Sequence, residues 1–526
     1  MDKILGVMLD CSRNAVMKPD TVKLYASIIK KMGYNTLMLY TEDTYEVDNQ
    51  PFFGHLRGRY SKEELKDIDS YCASIGIELV PCIQTLAHLG NLFKWQEDYD
   101  VINDCDDILL IGEEKTYKFI EDMIYTLSQC FSSHKIHIGM DEAIRVGTGK
   151  YQQKNGIKDR FDIINEHLHK VCEIAEKYGL EPMIWSDMFC RLALKTEDQY
   201  LDTDTSKILD KAALPEKISL VYWDYYSDDY NRYARMIKTN KLFGRKVYFA
   251  GGAWTWKGFA PDNAFSMKNT TAALKACNDC GIDGVFFTVW GDDGAECSAF
   301  AVLPALLYAA ELAKGNDNLD SVKEKFKKIT GCDFDSFMLF DKLDISGGNH
   351  LENPSKYLLY NDPFMGIRDY CCSLDDREYY EKLANEISEV SEKGSFAYLF
   401  DVYEKLAEVL AIKGTIGIRI REAYLKKDMA ALKEIVNDCD ILLQKLKLFH
   451  AAHQNRWFLE NKPHGFDVQD IRLGGIIQRI KSCRNRLAQF ADGESDCILE
   501  LEEPMLNKAN GKSHWHRVAT PNLLAY

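Results

Sequence analysis

Short apolar runs alternate with longer amphipathic stretches over residues 1–315 of the chain. Eight of the runs have the length and composition of buried strands. They lie at residues 4–9, 35–40, 77–84, 135–139, 182–185, 218–223, 246–250 and 284–290. The stretches between them have helical periodicity, and Ser61 with Glu64 has the spacing of a capping box at the start of one helix. Eight strands alternating with helices predict an α/β fold, a (β/α)8 TIM barrel. An open doubly wound sheet is the alternative, weakened because no Gly-rich phosphate loop follows the first strand.

Residues 316–526 have a different pattern. Amphipathic helices are predicted at residues 379–390, 396–410, 416–424 and 429–449. Residues 344–349 are typical of a loop or linker, residues 456–466 of a break between helices, and residues 513–517 of a terminal segment. We therefore expect two domains, a catalytic barrel over residues 1–315 and a mainly α-helical C-terminal region over residues 316–526.

The composition narrows the classes of binding partner that we expect for this chain. The 526-residue chain has a formal net charge of -16, which argues against nucleic acid and anionic membranes, since both attract basic surfaces. No run of about 18 apolar residues predicts a transmembrane helix. The apolar run at the N-terminus is too short for a signal peptide, so we expect a cytoplasmic protein.

The sixteen cysteines are scattered through apolar patterns and indicate reduced core residues. Cys277 and Cys280 form a single CxxC with no second pair at the spacing of a zinc site. We expect no metal and no other cofactor.

A barrel enzyme carries its chemistry where the strands end, at the C-terminal face. All eight predicted strands end in acidic, amide or indole side chains. They are Asp10; Glu42 and Asp43; Gln84 and His88; Asp141 and Glu142; Trp185 and Asp187; Trp223, Asp224, Tyr225 and Tyr226; Trp254 and Trp256; Trp290 and Asp292. Aromatic rings cover the apolar face of a pyranose and acids accept from its hydroxyls, so the set favours a sugar ligand.

Asp141 and Glu142 are adjacent carboxylates at the end of the fourth strand. Strand alternation would direct His137, Gly139 and Asp141 to one face, with Glu142 just beyond them. Two neighbouring acids repel when both are ionised, so one pKa tends to rise, and the protonated acid is then available as a proton donor. The pair predicts general acid–base chemistry.

The string from His137 to Glu142 resembles the His-x-Gly-Gly-Asp-Glu signature of family 20 glycoside hydrolases, the β-N-acetylhexosaminidases, with Met140 in place of the second Gly. Residues 6–13, 35–43 and 84–88 also resemble family motifs. The similarity is greatest to the hexosaminidase D-like branch. It covers roughly residues 1–315.

The resemblance implies an exo-acting enzyme that releases terminal, non-reducing β-linked GlcNAc or GalNAc with retention, through an oxazolinium intermediate formed by the substrate's own acetamide. Asp141 would bind the acetamide N–H, and Glu142 would act as acid and then base. The implied substrate-binding residues are Asp43, His88, Trp185, Asp187, Trp223, Trp254, Trp290 and Asp292. The partner would be a glycan or glycoconjugate.

Two departures from the family pattern matter. Leu5 stands where the family has an Arg that grips two sugar hydroxyls, and Glu42, Asp43 or Arg13 are the candidates to compensate. No Tyr follows the seventh strand to hold the acetamide oxygen. Tyr225 is the first candidate for that role, and Tyr226 is the second.

Two other functions remain open from the sequence. A metal-dependent barrel hydrolase would use His88, His137, Asp141 and Glu142 as ligands. A catalytically inactive sugar-binding barrel would keep the pocket without turnover. The sequence fixes neither the preference for GlcNAc or GalNAc, nor the aglycone, nor the oligomeric state, and a homodimer is compatible with it.

Overall fold

The computed structural model describes residues 3–194, 214–344, 353–390 and 394–505 of the chain. Its contacts divide the chain into two compact units. The barrel unit comprises Met1–Ala253, Phe265–Trp290 and Ala305–Val322, and the helical unit comprises Trp254–Ala264, Gly291–Pro304 and Lys323–Tyr526. The boundary expected at residue 315 stays a prediction. Most of the linker predicted at residues 344–349, and all of the segment at residues 513–517, lie outside the described residues.

The barrel unit confirms the predicted (β/α)8 barrel. Its eight parallel strands are β1 (Ile4–Asp10), β2 (Thr36–Tyr40), β3 (Glu78–Cys82), β6 (Lys135–His137), β7 (Glu181–Trp185), β8 (Ser219–Trp223), β9 (Lys246–Gly252) and β10 (Gly284–Val289). They close in the order β1-β10-β9-β8-β7-β6-β3-β2. Each strand of the barrel overlaps a predicted apolar run.

Side chains two residues apart fill the barrel interior, as the alternation of a strand requires. Pairs such as Met38 and Tyr40 on β2, or Met183 and Trp185 on β7, belong to one buried cluster. The upper members of these pairs lie at the carboxyl ends of the strands. The barrel core therefore also forms the floor of any site at that face.

Two short antiparallel strands between β3 and β6 were not predicted. They are β4 (Asn103–Cys105) and β5 (Ile108–Leu109). Runs of three and two residues are too short to give a periodic signal.

The α-helices are, in chain order, α1 (Pro19–Met32), α2 (Lys62–Ser74), α3 (Gln96–Tyr99), α4 (Glu114–Ser128), α5 (Lys150–Asn155), α6 (Arg160–Lys177), α7 (Asp187–Leu194), α8 (Tyr230–Lys241), α9 (Asn263–Asp279), α10 (Leu303–Ala313), α11 (Leu319–Thr330), α12 (Phe334–Met338), α13 (Pro354–Tyr360), α14 (Asp376–Val390), α15 (Ala397–Leu425), α16 (Met429–Glu460), α17 (Phe466–Ala491) and α18 (Leu499–Glu502). The predicted capping box is confirmed, since the Ser61 hydroxyl accepts from the Glu64 N–H and the Glu64 carboxylate accepts from the Ser61 N–H.

Two predictions for the helical unit were wrong. The helices expected at residues 396–410 and 416–424 are one continuous helix, α15. Lys413 lies between the two predicted helices, and its ammonium donates to the carbonyl oxygens of Leu358 (3.0 Å) and Asn361 (2.6 Å). The buried Lys413 cation thus finds hydrogen-bond acceptors outside its own helix.

The break predicted at residues 456–466 is also shorter than expected. Helix α16 continues to Glu460 and α17 begins at Phe466. Arg456 stays helical because its guanidinium is buried and donates to Glu460 at 3.4 Å, one turn along the same helix. Polarity suggested a loop where the structure has a buried ion pair.

Within the described ranges, no helix is both long and apolar enough to cross a membrane. The described cysteines are free thiols and most of them are buried.

Candidate functional site

The turn after β6 carries the two adjacent acids. Strand β6 ends at His137, and Gly139, Met140 and Glu142 then have φ angles of +72°, +71° and +51°. The predicted alternation of His137, Gly139 and Asp141 along one strand face is therefore wrong, because left-handed residues do not continue a pleat. The acids lie in an irregular segment with left-handed residues rather than in a strand.

Gly139 is required by space as well as by its φ angle. A Cβ at this position would lie 2.1 Å from Oε1 of Gln84 and 2.8 Å from the carbonyl oxygen of Ile83. The same Gln84 oxygen accepts from the N–H of Met140 at 3.1 Å. The close approach lets the Gln84 side chain hold the turn.

Gln84 also holds the carboxylate of Asp141. Its Nε2 donates to Oδ1 of Asp141 at 2.7 Å and to the hydroxyl oxygen of Tyr40 at 2.8 Å. The Tyr40 hydroxyl in turn donates to Oε1 of Glu42 at 3.2 Å. One amide thus connects the turn after β6 with the end of β2.

Asp141 is ionised at neutral pH. Burial favours the neutral acid, but the charge and hydrogen bond of His88 and the hydrogen bond of Gln84 outweigh burial and lower the pKa of Asp141 to about 2. Only 14% of its side chain is exposed. The site therefore contains a fixed negative charge.

His88 lies between the two acids. Its Nε2 is 3.2 Å from Oδ2 of Asp141 and 3.7 Å from Oε2 of Glu142. Burial lowers the pKa of His88, but the charge of Asp141 raises it to about 9, so the imidazole is protonated at neutral pH. The backbone of His88 is itself left-handed, with φ of +59°, and its N–H donates to Asp107.

Glu142 is the accessible member of the pair, with 46% of its side chain exposed. Its backbone N–H donates to Oδ2 of Asp187 at 3.1 Å. Asp187, at the start of α7, is fully buried. Burial and then the charge of Asp141 raise the pKa of Asp187 to about 7. Three carboxyl groups thus meet in very different environments.

His137 and Trp185 lie beneath the acids in the barrel interior. Their rings are 4.3 Å apart, and both side chains are buried. Nδ1 of His137 accepts from the N–H of Gly139 at 3.1 Å. Burial lowers the pKa of His137 to about 3, so this imidazole is neutral. Among the described residues, Nε2 of His137 and Nε1 of Trp185 have no hydrogen-bond partner.

Aromatic rings surround the mouth of the barrel unit. Trp290 meets Tyr40 edge to face at 4.7 Å and lies 6.2 Å from Trp185. Trp223 stacks on Tyr225 at 5.3 Å. Trp290 and Trp223 are only partly buried.

Tyr225 and Tyr226 differ in exposure. Tyr225 is 5% exposed, whereas Tyr226 is 53% exposed. Burial raises the pKa of Tyr225 well above its usual value, and hydrogen bonds with Trp290 and Thr288 oppose the rise. The Tyr225 side chain is therefore buried beside Trp290 and Thr288, whereas that of Tyr226 faces solvent.

The ends of β1 and β2 supply a second polar group. The Arg13 guanidinium lies 3.4 Å from both Asp10 and Glu42, over the rings of Tyr40 (4.8 Å) and Trp290 (4.9 Å). Burial raises the pKa of Glu42 to about 6, although the Arg13 charge opposes the rise. Arg13 is the one candidate for the missing first-strand Arg that brings a positive charge to this mouth.

The Asp43 carboxylate is paired with an arginine other than Arg13. It is buried, and its Oδ1 pairs with Nε of Arg57 at 3.1 Å. Burial raises the pKa of Asp43 despite that charge. Its expected contact with substrate stays a prediction.

Trp254 and Asp292 belong to the helical unit. Trp254 stacks on Trp256 at 4.4 Å, and the Lys257 ammonium lies 4.5 Å from the Trp254 ring centre. Asp292 lies in the segment Gly291–Pro304, two residues after Trp290 in the chain. Their expected roles in sugar binding stay predictions.

The geometry gives Gln84 and Tyr40 contacts that the motifs did not assign to them. Gln84 holds Asp141, and the Tyr40 hydroxyl donates to Glu42. Arg13, a candidate from the sequence, reaches the mouth from the loop after β1. Their position at the carboxyl ends of strands was the available signal. In the described part of the chain, no three His, Cys, Asp or Glu side chains are grouped as metal ligands.

Two sequence families match this chain. "Glycosyl hydrolase family 20, catalytic domain" matches residues 5–278, slightly more than half of the 526 residues, and "Glycoside Hydrolase 20C C-terminal domain" matches residues 335–519.

Two similar proteins are both named hexosaminidase D. Hexosaminidase D of Bos taurus is 23% identical over 264 residues, covering 47% of this chain and 69% of the bovine protein. Hexosaminidase D of Homo sapiens is 22% identical over 211 residues, covering 38% of this chain and only 40% of the human protein.

A solved structure of a GH20 exo β-N-acetylglucosaminidase from Vibrio harveyi, in complex with N-acetylglucosamine, has a TM-score of 0.47 and 14% identity. The alignment covers 64% of this chain and 58% of that one. Since the family's catalytic-domain pattern covers more than half of the sequence, this chain belongs to glycoside hydrolase family 20.

Proposed function

We propose that this chain is an exo-acting β-N-acetylhexosaminidase. It releases terminal, non-reducing β-linked GlcNAc or GalNAc with retention, by substrate-assisted catalysis through an oxazolinium intermediate. The observation that carries the proposal is the pairing of a buried, ionised Asp141 with an accessible Glu142. Family membership and the names of the relatives support the same activity.

Asp141 suits the role of stabilising positive charge. Its pKa of about 2 keeps it ionised, and each carboxylate oxygen has a second lone pair beyond those used by Gln84 and His88. It accepts the acetamide N–H of the substrate and stabilises the positive charge that spreads over the oxazolinium ring. A fixed anion at developing charge needs no reorganisation during the reaction.

Glu142 suits the role of acid and base. Its exposure gives it access to the leaving oxygen and then to a water molecule. Asp187 fixes the backbone from which it extends. Nε2 of His88 lies 3.7 Å from Oε2 of Glu142.

The remaining contacts recognise the sugar. Trp223 and Trp290 supply ring surfaces, with the buried Trp185 beneath the acids, while Arg13 and Glu42 supply a donor and an acceptor for hydroxyls. Tyr225 holds the acetamide oxygen.

A substrate panel tests the activity. Aryl β-GlcNAc and β-GalNAc are expected to be hydrolysed, and the aryl β-glucoside hardly at all, because only a 2-acetamido group can form the oxazolinium. Rates are expected to be unchanged by EDTA. Hydrolysis that EDTA abolishes would favour the metal-dependent hydrolase. Sugar binding without turnover would favour the catalytically inactive barrel. A sugar trapped covalently on Asp141 or Glu142 would contradict the acetamide mechanism.

Glu142→Gln is expected to lower kcat by about 10²–10⁴-fold, the usual contribution of general acid–base catalysis. The loss should be smallest for aryl leaving groups that need little protonation, and largest for a disaccharide. Glu63→Gln, at an exposed position in the first turn of α2, is the control and should retain normal rates. Rates near wild type for Glu142→Gln on a disaccharide would remove Glu142 from the mechanism.

Tyr225→Phe is expected to lower kcat more than it raises KM. The hydroxyl matters most as the acetamide oxygen attacks, and a contact made in the transition state appears in kcat. The cost should be at or below the lower end of the about 2.7–4 kcal/mol typical of oxyanion-type donors. Tyr226→Phe, at the exposed neighbour, is the matched control. Damage from Tyr226→Phe with none from Tyr225→Phe would reverse the assignment.

Asp187→Asn is expected to stabilise the protein above neutral pH. Folding raises the pKa of Asp187 from 3.8 to about 7, so the folded protein binds the extra proton between these values. The contribution of Asp187 to the free energy of unfolding is therefore greatest at low pH and falls as pH rises to about 7. An Asn removes that dependence and still accepts from Glu142 N–H.

The gain in unfolding free energy should be on the order of 1–2 kcal/mol at pH 5 and rise to on the order of 4 kcal/mol at pH 8, measured by thermal or urea unfolding. Asp20→Asn, at a side chain that is 99% exposed, is the control. A gain that is the same at both pH values would show that Asp187 is ionised throughout.

A further inference from the structure

Strand β6 ends early, and a side chain continues its hydrogen bonding. The strand has three residues and ends at His137, and Gly139 follows in the buried interior of the barrel unit. A buried backbone N–H needs an acceptor. For Gly139 the acceptor is Nδ1 of His137, at 3.1 Å. The imidazole therefore closes a turn like the one that Asn and Asp side chains make with the N–H two residues along the chain.

The carbonyl oxygen of Gly139 is bonded as well. It accepts from the N–H of Trp185 at 3.2 Å, and the Trp185 ring lies 4.3 Å from the His137 ring. Both side chains are buried. One residue of β7 thus bonds the carbonyl of Gly139 and packs against the imidazole that bonds its N–H. Gly139 is fixed through both of its backbone polar groups.

Gly139 begins the path that leads to Asp141. Gly139 and Met140 have left-handed φ angles of +72° and +71°, and Asp141 follows directly. Such an angle at Met140 costs free energy and persists when surrounding contacts over-determine it. The hydrogen bond between Gly139 and His137 is the first of these contacts along the chain, at the point where the backbone leaves the strand.

The imidazole can accept this hydrogen bond in only one protonation state. A nitrogen that accepts from an N–H carries no proton, so the proton of the neutral ring lies on Nε2. Burial lowers the pKa of His137 to about 3, although the charge of Asp141 opposes that change. Within the part of the chain that the structure describes, Nε2 has no hydrogen-bond partner. The hydrogen bond of this buried ring is therefore the one to Gly139.

We propose that His137 is a positioning residue that sets the direction of the Asp141 carboxylate through its hydrogen bond with Gly139. This inference rests on the proposed function. Without the bond, a buried N–H is left without an acceptor, and the backbone relaxes toward a path that satisfies it. Asp141 then moves relative to the amide of Gln84 and to the acetamide of the substrate. Glu142 is held separately, because its own N–H donates to Asp187.

Two substitutions separate the nitrogens of the His137 ring. In His137→Asn the side-chain oxygen can accept from the Gly139 N–H, because Asn readily makes this turn. In His137→Gln the polar end lies near the position of Nε2 instead. With an aryl β-GlcNAc substrate, kcat should fall less than about fivefold in His137→Asn and about 10- to 100-fold in His137→Gln, the usual effect of a small misplacement. KM should change less than about threefold, because Asp141 acts mainly in the transition state.

A control variant and a double variant separate positioning from loss of packing. Ile4→Ala also removes buried apolar atoms from the barrel interior, at the amino-terminal end of β1, and its kcat should change less than about twofold. If His137 acts through Asp141, adding His137→Gln to Asp141→Asn should lower kcat by less than about twofold further. Full multiplication of the two effects would overturn the proposal, as would a His137→Gln variant at least as active as His137→Asn.

Nuclear magnetic resonance of protein labelled with 15N-histidine gives a readout independent of activity, and it needs only the wild type should His137→Gln not fold. The His137 signals, assigned by their absence in His137→Asn, should be those of a neutral ring protonated on Nε2 from about pH 5 to about pH 8. A ring protonated on Nδ1 would overturn the proposal, because Nδ1 could not accept from Gly139. An imidazolium in this pH range would do the same.

The two kinds of failure are distinguishable. A failure of the proposed function would appear as a wild-type protein that is inactive on aryl β-GlcNAc while the ring of His137 is still protonated on Nε2. A failure of the positioning role would appear as an active wild-type protein whose His137→Asn and His137→Gln variants have equal kcat.

Discussion

The site depends on keeping one negative charge ionised where little water can reach it. Burial raises the pKa of Asp141, and the contacts of His88 and Gln84, with a backbone hydrogen bond, reverse that tendency. This requirement accounts for much of the surrounding geometry. Gly139 admits the Gln84 amide, the left-handed turn directs Asp141 toward that amide, and the backbone of His88 is anchored by Asp107.

The same charge sets the behaviour of its neighbours. It protonates His88 and discourages ionisation of Asp187, so the acids near Glu142 are not equivalent. The asymmetry arises from burial and hydrogen bonding rather than from residue type, since Asp141 and Asp187 are chemically identical. These surroundings suit a catalytic pair in which Asp141 stays ionised and Glu142 exchanges a proton.

The sequence predicted the barrel and the strand-end residues because both follow from short-range patterns. A short continuous apolar run reveals each strand, because the strands of a parallel barrel are buried on both faces, and parallel strands bring their carboxyl ends to one face. Partners far apart in sequence were not predictable. Nothing local indicates that Asp43 pairs with Arg57, that Asp187 accepts from Glu142, or that Lys413 finds two carbonyls that keep α15 continuous. The left-handed turn after β6 was also missed, because Met140 gives no sign of a positive φ angle.

Met140 shows that a motif position can encode a dihedral angle rather than a residue. The family signature has glycine here, where a left-handed backbone costs other residues about 1–2 kcal/mol. Met140 is fully buried, and burying such a side chain returns about 1.5–3 kcal/mol. The strain and the packing are thus of similar size, and the backbone path survives the loss of the glycine. Gly139 has no such freedom, because the space for its side chain is already filled. A search for related enzymes should therefore demand the first glycine of the signature and treat the second as replaceable by an unbranched apolar residue.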